Sequence, residues 1–289
     1  MNQQRSPSLL RVFGQPKMAA ILFLGFASGL PLYLTSKTLQ AWMTQEKVDL
    51  TTIGLFGLVG APYTFKFIWS PLIDRYSPGF LGRRRGWLII TQVGLLLAIA
   101  AMSLQDPQRS LQWLAVAAVA VAFFSATQDI AFDAYKIDVL DEPERGPGAS
   151  IGVLGYRIAL LVTGSAAFVM ADHMPWARVY LLIAGLMLIG VVATLRAPEP
   201  KVPVRRPASL ADAVVHPFVD FFKRTGVANG LVILAFIVLY KLGDAMLNLM
   251  ATPFLLKAGF SQTDIGAVQG GLGLIATIAG VLAGGAGLA

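Results

Sequence analysis

Asp129, Asp133 and Lys136 stand at i, i+4 and i+7, which places them on one face of a helix. They close a long apolar run, Leu111 to Asp138, whose last stretch reads FFSATQDIAFDAYKID from Phe123. A carboxylate at membrane depth costs roughly 2.5–3.5 kcal/mol on insertion scales, and two on one face repel each other. Such a pair persists only where the face looks onto protein or a watery cavity and meets cations or protons there. The chemistry these residues suit is proton or ion exchange inside a helix bundle. Asp129 and Asp133, with Arg157, are the proton-coupling candidates; a structural network at the cytosolic end of the helix is the competing reading. Four cations also stand within apolar runs: Lys37, Lys66, Arg157 and Lys241.

Helices must position these groups, and composition says in what solvent. The chain has 289 residues, 56% hydrophobic and 13% charged, with a mean hydropathy of +0.67. Soluble domains carry about 25% charged residues. There is no cysteine, and the only histidines are His173 and His216. A disulfide framework and a Cys/His metal site are therefore excluded, and no cofactor is expected. The net charge of +7 is not a nucleic-acid signal, because the basic residues gather in the short gaps between apolar runs.

Eight such runs predict spanning helices of about 17–25 residues or more: Met18 to Trp42, Leu50 to Ile73, Trp87 to Leu104, Leu111 to Asp138, Pro147 to Ala171, Arg178 to Leu195, Val227 to Leu256, and one from Asp264 to the last residue. The first is too long for a signal peptide; Gly25 and Gly29 give it a small-residue packing face, and Pro31 is expected to break or bend it. Other glycine-rich stretches are likewise read as packing faces. Between Arg196 and Arg224, Pro198, Pro200, Pro203 and Pro207 rule out one continuous helix. Leu210, Val214, Phe218 and Phe221 then form a stripe, read as a short amphipathic segment on the membrane surface or a packed linker helix, interrupted at Pro217.

With the N-terminus in the cytosol, fifteen Lys/Arg fall on the cytosolic side against four opposite (Lys47, Arg109, Arg178 and Lys257). This bias sets the orientation. Val48–Gly60 (VDLTTIGLFGLVG) resembles Phe260–Gly273 (FSQTDIGAVQGGLG) in register. The layout is thus a six-helix group at 1–195, a cytosolic linker at 196–226, and the start of a second group at 227–289, as in two-half secondary transporters with parallel repeats.

Ser70-x-x-x-Asp74-Arg75 followed by Gly82-Arg83-Arg84-Arg85 resembles the loop between helices 2 and 3 of the major facilitator superfamily, with Ser70 where glycine is usual and a longer Tyr76–Leu81 spacing. More specifically, LGFASGLPLYLTSKTLQAWM, FKFIWSPLIDRY, GRRRGW, ATQDIAFDAYKIDVL, GYR and VLYKLGDA resemble the AmpG muropeptide permease family over essentially the whole chain. The resemblance implies an all-α integral membrane bundle, truncated at about eight of twelve transmembrane helices, and an expectation that the chain alone does not transport. It implies a monomer in the bacterial inner membrane that imports anhydro-muropeptides (GlcNAc–anhydro-MurNAc with or without peptide) with protons, for peptidoglycan recycling and β-lactamase induction. Asp74, Arg75, Arg83, Arg84 and Arg85 would gate the cytosolic ends or simply set topology.

An anionic, sugar-bearing substrate fits the remaining candidates. Lys37, Lys66, Arg157 and Lys241 suit carboxylates, Tyr33, Tyr63 and Tyr156 suit sugar faces, and Gln40, Gln128 and Asp244 complete the binding set. Lys37 alternatively snorkels to the interface, and Lys241 and Asp244 (i, i+3) neutralise each other. Taking helix 4 to start inward from Asp138 and helix 5 from Gly148, a rise of about 1.5 Å per residue puts Asp129 and Arg157 each about 14 Å inside and Lys66 about 12 Å. Arg157 is therefore expected to pair with Asp129. Rival classes fare less well. There is no G-x-x-x-x-G-K-[ST] loop for an ATP-driven pump, and no histidine within a run for an acyltransferase. A carrier of another bulky anion such as acetyl-CoA is the runner-up, and a non-transporting membrane protein the third reading.

Overall fold

The structure, a computed structural model, describes the backbone of residues 15–200 and 210–258 and isolated positions beyond; side chains are described for 15–200 and 218–242. Every regular element among the described residues is a helix; those up to 200 belong to one compact unit and those from 210 to 258 to another. Apart from isolated positions the predicted run from Asp264 lies outside the described residues, as do Phe260–Gly273, the repeat partner of Val48–Gly60, and the side chain of Asp244.

In the first unit α1 (Pro16–Leu34) and α2 (Lys37–Gln45) together make a 30-residue span. Proline removes one backbone donor and crowds the preceding turn. The helix nevertheless runs on through Pro31 and breaks only after Leu34, with Ser36 far from helical geometry (φ −133°, ψ −104°). The second run was expected as one helix and is not. It is built from α3 (Leu50–Leu55), α4 (Ala61–Phe65) and α5 (Ser70–Arg75), joined by tighter 3₁₀ turns at Phe56–Gly60 and Lys66–Ile68. Gly54, Gly57 and Gly60 weaken the helix, and Pro62 and Pro71 each delete a backbone donor. α6 (Arg83–Ser103), α7 (Leu111–Val139), α8 (Arg145–Leu161) with α9 (Ala167–Ala171), and α10 (Trp176–Arg196) follow. A π-helical turn at Val162–Ala166 joins α8 to α9. Five helices of this unit are long and apolar enough to cross a membrane.

α1 packs most extensively on α8, and α6 lies against both α7 and α10. The α1–α8 contact is backbone to backbone. A Cβ built on Gly25 would sit 2.3 Å from the Gly152 carbonyl oxygen, and one on Gly155 would sit 2.1 Å from that of Leu22. The small-residue reading therefore holds for Gly25, Gly29 and Gly155. It fails for helix 2: nothing lies within 4 Å of a Cβ on Gly54, Gly57 or Gly60, so these glycines face open space.

In the second unit α11 (Leu210–Thr225) passes through Pro217 without the expected interruption. Proline's fixed φ suits a helix, and one missing hydrogen bond does not end it. Gly226, at φ 73°, takes the left-handed conformation open to glycine and turns the chain by 113° into α12 (Val227–Lys257).

Candidate functional site

The apolar core of the first unit comes in two parts. One holds Met18, Ile21 and Leu24 of α1 with Phe132 and Tyr135 of α7; the other holds Ala27, Leu30 and Leu34 with Leu114, Ala118 and Val121. Between them the helices carry polar side chains at one level: Ser28, Thr91, Gln92, Ser125, Thr127, Gln128 and Asp129, all but the last buried. A bundle gains nothing in stability from such a layer, since each buried polar group costs about 1–3 kcal/mol when it lacks a partner. Gln128 lacks one on both side-chain atoms, as do the Gln92 amide nitrogen and the Tyr63 hydroxyl.

Asp129 lies at this level, half-buried, and accepts a 2.5 Å hydrogen bond from the Ser28 hydroxyl. Ser28 is held rigidly because Gly25 and Gly29 on either side of it seat α1 against α8. The charged groups whose fields reach Asp129 are Lys66, Asp133 and Lys136. Arg157 is not among them, and the expected Arg157–Asp129 pair does not form: no ion pair joins the two within 4 Å. The face of α8 bearing Gly155 is turned to α1, and Arg157 is about 200° further round that helix. Asp133 is also placed apart. It is exposed and bound by Lys136 at 2.8 Å, one turn along, while Lys136 also lies over the Phe132 ring.

The three tyrosines do come together. Asp129, Tyr63, Arg157 and Tyr33 are all close enough to Tyr156 to act on its hydroxyl electrostatically. Ser125 and Thr35 are the nearest partners of the Tyr63 hydroxyl, without a well-formed bond to either. The Tyr33 ring lies against Gly164 in the π-helical turn, and Lys37, exposed, sits 5.0 Å from its centre. Lys66 makes no ion pair among the described residues. Gln40 is exposed and lines a small cavity with Tyr63. Lys241 is exposed in the second unit, over Tyr240.

At the end of the bundle holding Asp74, three successive arginines fan out. Arg84 bridges Asp74 and Asp138, both at 2.7 Å; Arg83 reaches Asp138 at 3.7 Å and the Asp74 carbonyl at 3.1 Å. Arg85 instead donates to the carbonyls of Thr194 and Leu195 that end α10, the partners such a terminus leaves free. Arg85 also faces Glu199 at 3.9 Å; burial pushes the Glu199 carboxyl up and Arg85 opposes the shift. Arg75 takes no part, lying over the Tyr76 ring. Lys17 ties the start of α1 to Asp141 and Glu144. Gly82, at φ 83° and with Glu199 where a Cβ would be, shapes the loop.

Sequence reasoning named Gln128 but missed Ser28, Gln92 and Asp138. Ser28 had a signal, a lone hydroxyl between two packing glycines. Asp138 stands in the quoted YKID stretch, but its partner is 54 residues away.

The Major Facilitator Superfamily model matches residues 20–288. The chain belongs to the Major Facilitator Superfamily. Within it, similarity runs to AmpG proteins. It is 55% identical over 282 residues to the "Anhydromuropeptide permease" of Escherichia coli K12, covering 97% of this chain and 57% of that protein. It is 41% identical over 271 residues to an uncharacterized Haemophilus influenzae protein, covering 93% of this chain and 64% of that one. It is 34% identical over 287 residues to "Putative transporter AmpG 4" of Rickettsia felis, covering 96% and 69%. The chain thus spans little more than half the length of its E. coli relative.

Proposed function

We propose that this protein takes part in proton-driven import of anhydro-muropeptides, GlcNAc–anhydro-MurNAc with or without peptide, across the bacterial inner membrane for peptidoglycan recycling. The observation that carries the reading is Asp129: a titratable group between two apolar core halves, with a hydroxyl donor, Tyr63, Tyr156 and Lys66 around it. A carboxylate in such a place marks an ion or proton path. Aromatic rings offer faces to sugars, and Lys66 offers charge to the substrate's carboxylates. The substrate class follows the 55% identical permease by analogy. In this reading Asp129 takes and releases the proton, and Asp133, paired with Lys136, relays it towards the cytosol. Asp74, Arg83 and Arg84 hold the cytosolic ends of the helices together. In vesicles carrying this sequence within a chain of its E. coli relative's full length, the expected result is saturable uptake of labelled GlcNAc–anhydro-MurNAc, abolished by collapsing the proton gradient. Uptake of labelled acetyl-CoA in its place would favour the other bulky-anion reading.

The Lys/Arg bias supports a cytosolic N-terminus, with residues 1–195 as one helix group, 196–226 as a cytosolic linker and 227–289 belonging to a second group. With no native cysteine, accessibility scanning starts from a clean background. A cysteine placed at Gly79 is expected to stay unlabelled by a membrane-impermeant reagent added to intact cells' periplasm and to react after permeabilisation. Labelling from outside would reverse the topology.

A further inference from the structure

Where α1 begins and α10 ends, the two helices leave an open groove of about 560 Å³ between them. Its walls are residues 16–23 of α1 and 188–196 of α10. Ala20 and Ala193, both buried, form the floor, while Phe23 and Ile189 stand exposed at the sides. The alanines on both helices are what keep the space open. At about 1.5 Å per residue the groove runs about 10–12 Å along the helices. One leaflet of a bilayer is about 15 Å of hydrocarbon, so the groove takes up most of that depth. It starts at the end of the bundle that holds Asp74, where Arg85 meets the last carbonyls of α10.

Its chemistry is lopsided. Every residue lining it is apolar except Arg196, which stands at the outer end. Arg196 is exposed and makes no ion pair among the described residues. The charges around it are already engaged: Lys17 is held by Asp141 and Glu144, and Glu199 faces Arg85. Nor is Arg196 needed to cap α10, since Arg85 takes the carbonyls of Thr194 and Leu195. An uncompensated guanidinium at the mouth of an otherwise apolar groove suits a ligand with one anionic end and a hydrocarbon body. Basic pockets between membrane helices take anionic lipid headgroups in this way.

We propose that this groove is a binding site for an anionic phospholipid, with one acyl chain between α1 and α10 and the phosphate on Arg196. The planar guanidinium fork matches two phosphate oxygens. A zwitterionic headgroup brings its own ammonium beside the arginine, whereas phosphatidylglycerol brings negative charge alone. The seated chain fills the space between α10 and α1, the helix that carries Ser28. The site is independent of the substrate, so failure of the transport reading leaves it standing.

The test uses phosphatidylglycerol and phosphatidylethanolamine carrying the same diazirine-bearing acyl chain. Each is placed in bilayers that hold this sequence within a chain of its E. coli relative's full length. After irradiation and peptide mapping, the glycerol-to-ethanolamine labelling ratio at residues 16–23 and 188–196 is expected to exceed that around Ile90 and Val93 about fivefold. Those two residues are exposed on α6 and serve as the reference surface. Arg196→Gln is expected to bring the groove's ratio down to the α6 value. Ala19→Phe, which fills the groove, is expected to cut labelling of residues 188–193 by both probes. Equal ratios at the groove and on α6 overturn the proposal, as does a ratio that Arg196→Gln leaves unchanged or labelling that Ala19→Phe leaves unchanged. A groove that neither probe labels is covered by protein, another segment or a second copy, and that overturns it too. Arg196 and Ala19 are exposed, so neither change enters the core; should a variant fail to insert, the ratio in the unaltered protein decides.

Discussion

Gly155→Ala is expected to lower the amount of protein in the membrane several-fold, and Gly25→Ala to do nearly the same. The added methyl group on residue 155 would lie 2.1 Å from the Leu22 carbonyl oxygen and 2.8 Å from the Phe26 nitrogen. Those are backbone atoms of α1, so no rotamer change relieves the clash and the two helices must separate. Overpacking of a core costs about 1–3 kcal/mol, and more where backbone must move, against a total stability of roughly 5–15 kcal/mol. The displacement also carries Ser28 away from Asp129, so any protein that does insert should transport poorly. The contrast is internal. Gly185, exposed on α10 with nothing near its Cβ position, should accept alanine and gain the ~1 kcal/mol by which alanine favours a helix. Quantitative immunodetection of the three variants in washed membranes checks this. Equal abundance of Gly155→Ala and Gly185→Ala would remove the α1–α8 seam from its place in the fold.

Those glycines show how far the sequence could be read. A Gly-x-x-x-Gly spacing on an apolar helix speaks of close packing, and Gly25 with Gly29 does pack. The same residue type at 54, 57 and 60 means the reverse, because what decides is whether a neighbouring helix lies opposite, and spacing does not carry that. Run lengths located the spanning helices but not the subdivision of helix 2, where three glycines and two prolines loosen the hydrogen bonding together. Depth reckoning along straight helices set Asp129 and Arg157 at one level, yet level is only one coordinate. Rotation about α8 turns Arg157 from the seam, and it depends on Gly155 meeting Leu22, a contact across more than a hundred residues. Asp129 was legible for a simpler reason: a carboxylate in an apolar run needs explaining wherever its partner stands. Ser28 carried a weaker signal, its place between two packing glycines, which is easily passed over because a serine in a spanning helix usually bonds its own backbone.

Asp129→Asn is expected to abolish proton-driven accumulation of substrate while leaving exchange of labelled for unlabelled substrate across the membrane. Asparagine keeps the shape of the side chain and an oxygen to accept from the Ser28 hydroxyl, but it cannot take up and release a proton near neutral pH. Coupling therefore fails, and binding, if carried by the tyrosines and Lys66, survives. Lost exchange along with lost accumulation would make Asp129 a structural member of the polar level. The structure also says which partner matters. Residues in contact show interaction energies of about 0.5–3 kcal/mol in double-mutant cycles, whereas separated ones add. Ser28→Ala combined with Asp129→Asn should then cost less than the sum of the two, because the single hydrogen bond between them is lost only once. Arg157→Ala combined with Asp129→Asn should be additive, as no ion pair joins them within 4 Å. Each rate is divided by the membrane abundance of its variant, so that poor insertion is not counted as poor transport. Normal accumulation by Asp129→Asn would sink the proton assignment. Coupling to Arg157 without coupling to Ser28 would mean that the carboxylate changes partner during the cycle, with the arrangement seen here as only one of its states.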